Sequence, residues 1–151
     1  MRICLIGYGY WGKNLARVFG KDLVAICDNN QENLDKAKEL YDVQYFSNKD
    51  ELYQSNLDYD TVAIATKADT HFELATTFLI AGKNIWLEKP ACIKTKDIEY
   101  LIKIRRDNKV FVDHTFVYHP AIQKIKTLDI GTPLYYDSHR IRLGLFQKDI
   151  D

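Results

Sequence analysis

Cysteine is scarce in this chain, and neither sign of charge dominates. The three cysteines, Cys4, Cys27 and Cys92, are odd in number and follow no metal-ligand spacing, and the first two sit inside apolar runs. This argues against a disulfide framework and points to buried free thiols. Twenty-one Lys and Arg balance 21 Asp and Glu, so no bulk field draws the chain toward nucleic acid or an anionic membrane. No apolar run approaches the length that spans a bilayer, and the first residues read as a core strand with no charged n-region and apolar h-region before it. A cytoplasmic location is expected. Internal repeats and low-complexity segments are missing too. What is present is a globular domain of 151 residues, 46% hydrophobic, long enough to bury roughly two thirds of its unfolded surface.

The most informative stretch is Arg2-Ile3-Cys4-Leu5-Ile6-Gly7-Tyr8-Gly9-Tyr10-Trp11-Gly12. An apolar strand runs into G-x-G-x-x-G, and a helix is expected from Lys13 to Phe19. Asp28 closes the next apolar run, Leu23-Val24-Ala25-Ile26-Cys27, 16 residues past Gly12. This is the layout of a dinucleotide-binding βαβ unit. Gly7 permits the tight turn and Gly9 keeps the backbone bare for a pyrophosphate. Gly12 lets the helix pack close to the strand and aim its positive end at the phosphates. Asp28 is placed to accept the adenosine ribose hydroxyls, with Asn29 beside it. A carboxylate there repels a 2′-phosphate and Asn29-Asn30 follows it in place of an arginine, so NAD is favoured over NADP. A glycine-rich turn alone is weak evidence; its position between strand and helix, with the acid at the right distance, lifts it above a mere turn.

Farther along, strand-like and helix-like segments alternate, the pattern of a parallel sheet. Helices are expected over 31–41, from a cap near Ser47-Asn48, over 70–81 ending at Gly82, and from a Thr95 cap to about Asn108. Strands are expected over 43–46, 61–66, 84–87 and 110–112. The run Thr61-Val62-Ala63-Ile64-Ala65-Thr66 is continuously apolar, as in a strand buried on both faces. The fold class is therefore α/β: a doubly wound, mainly parallel sheet of Rossmann type with helices on both faces. After Pro120 a short helix, 121–128, precedes an aromatic-rich strand, 134–143, that has no partner and reads as an orphan C-terminal strand of a second domain.

Four segments together resemble the Gfo/Idh/MocA family of oxidoreductases. They are Gly7 to Asn14, Ile64-Ala65-Thr66 with His71, Ala81 to Pro90 with its Glu88-Lys89-Pro90, and Val112-Asp113-His114-Thr115-Phe116 with His119-Pro120-Ala121. The similarity runs nearly end to end, and the tail from Arg142 to Asp149 is most similar to the branch acting on nucleotide-linked amino sugars or their uronic acids.

The resemblance implies hydride transfer between NAD(P) and a sugar or nucleotide-sugar hydroxyl. In the family, the lysine of Glu-Lys-Pro lies beside the nicotinamide and the substrate hydroxyl, which makes Lys89 the catalytic candidate. Cofactor contacts fall to Gly7, Gly9, Gly12, Asp28, Asn29, Thr66, His71, Glu88 and Lys89, and to Tyr10 and Trp11 through their backbone amides. Thr66 and His71 match the segment that passes the nicotinamide, with Lys67 where relatives carry proline. A structural hydrogen bond is an equal reading of His71. For His114 it is the favoured one, and the spacing of Asp113, His114 and His119 argues against a metal. The resemblance also implies a division into a dinucleotide-binding domain, 1–120, and the start of a substrate and oligomerisation domain, 121–151. Most of that second domain, with an Asp-x-x-x-His element, lies beyond this chain. A homo-oligomer and a small sugar substrate are the expected partners. Two other readings stay open: an NAD-binding module without turnover, and an oligomerising fragment that pairs through 134–143.

Overall fold

Six short apolar runs form six strands: β1 (Ile3–Ile6), β2 (Leu23–Cys27), β3 (Gln44–Phe46), β4 (Thr61–Ile64), β5 (Asn84–Leu87) and β6 (Val110–Val112). They make one parallel sheet in the order β3-β2-β1-β4-β5-β6. Parallel pairing requires a crossover between consecutive strands. The helices α1 (Tyr10–Phe19), α2 (Gln31–Lys38), α3 (Lys49–Gln54), α4 (His71–Ile80) and α5 (Thr95–Ile104) supply these crossovers. The strand order reverses between β1 and β4, which opens a crevice at their carboxyl ends.

This computed structural model describes residues 1–132 together with Tyr135, Asp137 and His139. They fall into two units, Met1–Thr115 and Phe116–Asp151. In the first, alternate residues of β1 face opposite sides of the sheet. Cys4 and Ile6 join a core with Leu52 of α3, Leu74 and Phe78 of α4, and Leu101 of α5. Ile3 and Leu5 join another with Leu15 and Phe19 of α1 and Leu34 of α2. Val62, Ala63 and Ile64 are fully buried, as a central strand covered on both faces requires, and each large side chain so buried contributes about 1.5–3 kcal/mol. All three cysteines are buried free thiols, and burial pushes Cys4 and Cys27 up to about 12.

Several boundaries differ from expectation. Helix α1 begins at Tyr10 rather than Lys13, because Gly9 serves as its N-cap and Gly12 already lies in the first turn. Helix α2 ends at Lys38, short of Tyr41, as the chain turns through Leu40 and Tyr41 amides bonded to the Ala37 carbonyl. The cap of α3 is Asn48, whose side chain accepts from the Asp50 and Glu51 amides, while Ser47 bonds the Glu51 carboxylate. Thr95 is the first helical residue of α5, not its cap; Lys94 is the cap residue and provides no side-chain bond. Gly82, φ +78, follows α4 as expected.

In the second unit, α6 (Pro120–Lys126) starts one residue before the expected 121, since a proline needs no partner for its missing N–H at a first helical position. His119 caps it, its Nδ1 accepting from the Ala121 amide at 3.2 Å. Of the expected strand 134–143, all but Tyr135, Asp137 and His139 lie outside the described residues. Among the described residues, no helix is long and apolar enough to cross a membrane.

Candidate functional site

The three glycines of the β1–α1 turn answer three different demands. Gly7 has φ +95, and a Cβ there would meet the Ala65 carbonyl oxygen at 2.6 Å. A Cβ on Gly12 would stand 1.9 Å from the Gly7 carbonyl oxygen. Gly9 differs: its φ is −73, and nothing lies within 4 Å of where its Cβ would be. Gly7 and Gly12 are thus required by the fold, whereas the bare side of Gly9 faces open space.

Behind Gly9 stands the N-terminus of α1. It has no side-chain cap and no acid in its first turn. The first intrahelical amide bond is that of Lys13 to the Gly9 carbonyl, which leaves the Tyr10, Trp11 and Gly12 amides without intrahelical acceptors. Such a helix end binds an anion through its N–H groups and its dipole. A pyrophosphate fits the residues present: open space over a glycine, free amides behind it, and no competing carboxylate.

Asp28, directly after β2, is 7% exposed and accepts three hydrogen bonds. Its Oδ2 accepts from the Tyr8 amide at 2.6 Å and from Asn33 Nδ2 at 3.1 Å, and its Oδ1 accepts from the Asn30 amide at 2.8 Å. It therefore ties the glycine turn to β2 and to α2, a role the sequence did not show. Two carboxylate oxygens carry about four lone-pair sites, so a further donor can still be accepted. Asn29 is exposed beside it. Tyr8 points inward, 1% exposed and edge-on to Tyr41 at 6.1 Å, while Tyr10 and Trp11 are exposed.

At the other end of the crevice, β4 and β5 lead to Thr66 and to Glu88-Lys89-Pro90. The Lys89–Pro90 bond is cis. Thr66 shares a hydrogen bond with Thr70, Oγ1 to Oγ1 2.7 Å. His71 is 1% exposed, with Nδ1 2.8 Å from the Pro90 carbonyl and Nε2 3.1 Å from the Thr66 carbonyl. Its ring thus clamps the loop after β4 to the turn after β5, the structural-bond alternative of the sequence reading. Lys89 is exposed.

Glu88 is the unusual member of this end. Its amide donates to the Ile64 carbonyl at 3.0 Å and its side chain is 7% exposed. Oε2 accepts from the Lys89 amide at 3.4 Å, and the buried Oε1 has no hydrogen-bond partner. Asp113, one residue past β6, lies next to it, because Leu87 and Val112 are paired and the Asp113 amide donates to the Leu87 carbonyl at 2.9 Å. Burial, followed by hydrogen bonding and charge from Asp113, pushes Glu88 up to about 7, against smaller opposing contacts from the Trp11 indole and the Lys89 amide. The sequence reading weighs Asp113 only within a metal or triad constellation, which it rejects, and misses this pair. The available signal was an acid directly after each of two consecutive strands. His114 is exposed, its amide bonded to the Val112 carbonyl. Among the described residues, no three His, Cys, Asp or Glu side chains come together as a metal would need.

Comparison with known proteins agrees with this geometry. Residues 1–116 match the oxidoreductase family with an NAD-binding Rossmann fold, GFO_IDH_MocA. The chain is 28% identical over 145 residues to UDP-N-acetylglucosamine 3-dehydrogenase of Acidithiobacillus ferrooxidans, covering 93% of this chain and 45% of that protein. It is 27% identical over 141 residues to D-apiose dehydrogenase of Paraburkholderia graminis, covering 87% and 38%. Among solved structures, the WlbA dehydrogenase of Bordetella pertussis, crystallised with NADH and UDP-GlcNAcA, superposes with TM-score 0.75 at 27% identity, covering 83% of this chain and 40% of that one. Scyllo-inositol dehydrogenase of Lactobacillus casei shares the fold at TM-score 0.75 and 23% identity, with coverage of 83% and 39%. The chain spans less than half the length of each of these relatives. With glycine turn, the acid after β2 and the Glu-Lys-Pro turn in order along one Rossmann sheet, the chain belongs to the Gfo/Idh/MocA family of oxidoreductases, whose NAD-binding domain it contains.

Proposed function

We propose that this chain binds NAD across the crevice between β1 and β4 and serves an oxidoreductase acting on a sugar or nucleotide-sugar hydroxyl. The observation that carries the reading is the uncapped N-terminus of α1 behind the open face of Gly9, with Lys89 exposed past β5 on the same edge of the sheet. When bound, NAD supplies the acceptor for the hydrogen removed from the alcohol carbon. The chain's own residues bind and orient. The Tyr10, Trp11 and Gly12 amides hold the pyrophosphate, and Asp28 accepts from the ribose while its charge opposes a 2′-phosphate. Thr66 lines the nicotinamide side, held there by His71. The Lys89 ammonium hydrogen-bonds the substrate oxygen and stabilises the negative charge that grows on it as the hydroxyl proton passes to water.

The relatives' names, one a UDP-N-acetylglucosamine dehydrogenase and one an apiose dehydrogenase, support a sugar as the substrate class. Binding and turnover are tested separately. Calorimetric titration is expected to show NAD binding, weaker NADP binding, and a loss of affinity in Asp28→Ala; failure of both nucleotides to bind would refute the reading. Turnover is followed by the absorbance of reduced nicotinamide with UDP-N-acetylglucosamine as a probe. NAD binding with no reduction would favour a binding module over an enzyme.

A further inference from the structure

We propose that Glu88 and Asp113 hold a single proton between them and release it when the cationic ring of oxidised NAD is seated near Lys89, so that the pair matches its charge to the oxidation state of the cofactor. The linkage half of this proposal rests on the cofactor reading above; the shared proton does not. The two acids follow paired residues of adjacent parallel strands, which lie roughly 4.8 Å apart. Both are more than nine-tenths buried, at 7% and 9% exposure. Two buried carboxylates in contact repel each other, and Oε1 of Glu88 would have no donor at all. One proton between them removes both penalties, giving Oε1 a partner and the pair a single negative charge. That charge sits at the base of the turn that carries Lys89, whose own amide contacts Oε2.

Other side chains approach the pair. From α1 come the Trp11 indole, whose contact favours the ionised form of Glu88, and Arg17, which lines a cleft with Trp86 and Asp113. On α4, both ring nitrogens of His71 are turned to the carbonyls of Thr66 and Pro90 instead. The cleft gives the Asp113 side of the pair a route to solvent. A positive charge brought beside the pair, the pyridinium ring, favours its doubly ionised form: the shared O–H bond breaks, the proton passes to water and no electron moves. The reduced ring is neutral and leaves the proton in place.

The test is calorimetric titration of the full chain with NAD and with NADH in two buffers of different ionisation enthalpy. Oxidised NAD is expected to release part of a proton at neutral pH and NADH none. NAD affinity should then rise, by up to about tenfold, from about pH 6 to about pH 8. Glu88→Gln and Asp113→Asn should each abolish the release and flatten the profile, which a purely structural role would not do. NAD binding without proton release, or release that persists in both variants, overturns the linkage. If NAD does not bind, the cofactor reading fails and takes the linkage with it. Difference infrared of the ligand-free chain then decides the shared proton alone: a protonated carboxyl band should fade through neutral pH and be lost in Glu88→Gln. Absence of that band in the native chain overturns the pair itself.

Discussion

The two ends of the crevice are built on opposite principles. At the β1–β2 end every described carboxylate bond is made within the chain: Asp28 accepts from Tyr8, Asn30 and Asn33, and Gly7 and Gly12 are pressed against backbone. At the β5–β6 end, Glu88 is buried with an oxygen lacking a donor, next to a second buried acid, and Lys89 is exposed. The first end is pre-organised, so a ligand meets a finished surface and pays little to order it. The second keeps polar groups under-satisfied, the condition under which a group's protonation responds to what binds beside it. In the proposed function, affinity belongs to the first end and chemistry to the second.

That contrast can be broken most forcefully at Gly12. Gly12→Ala places a Cβ 1.9 Å from the Gly7 carbonyl oxygen, and the turn must open or α1 must lift. A stability loss of about 3 kcal/mol or more is expected, read by denaturant melting. A loss below about 1 kcal/mol would show that the β1–α1 contact is not rigid.

Next in size is the pH dependence set by Glu88. Folding raises its pKa from 4.5 to about 7, so between these values the folded chain holds more protons than the unfolded one. Stability therefore falls as pH rises through that window, by up to about 3 kcal/mol from this group. Glu88→Gln keeps a donor toward Asp113 and removes the titration. Its stability should be nearly flat across the same window, and a slope equal to the native one would place the titrating group elsewhere. Smallest is Lys89→Met, which should leave melting within about 0.5 kcal/mol of the native chain because the side chain is exposed. In a chain that turns over substrate, the same variant should cost at least about a hundredfold in kcat.

The fold was largely legible in the sequence because glycine spacing and apolar runs report backbone demands directly. All six strands and the glycine turn stand where those patterns put them, with ends shifted by a few residues. The start of α1 was misjudged because a G-x-G-x-x-G motif does not reveal which glycine caps the helix, and here it is Gly9. The site was only partly legible. Asp28 could be found from its distance past the turn, but not its bonds to Tyr8 and Asn33, which depend on how α2 returns over β2. The His71 clamp and the Glu88–Asp113 pair join residues 19 and 25 positions apart, so they exist only once β4, β5 and β6 lie side by side.

The central claim is that the α1 N-terminus behind Gly9 holds the cofactor pyrophosphate. Gly9→Asp tests it most directly, since the open space accepts the side chain and an aspartate at an N-cap bonds the same amides that the pyrophosphate would use. Melting should stay unchanged or rise by about 0.5–1 kcal/mol, while calorimetry should show NAD affinity at least about a hundredfold lower, a loss of roughly 3 kcal/mol. A Gly9→Asp chain that melts like the native one and binds NAD just as tightly would contradict the account.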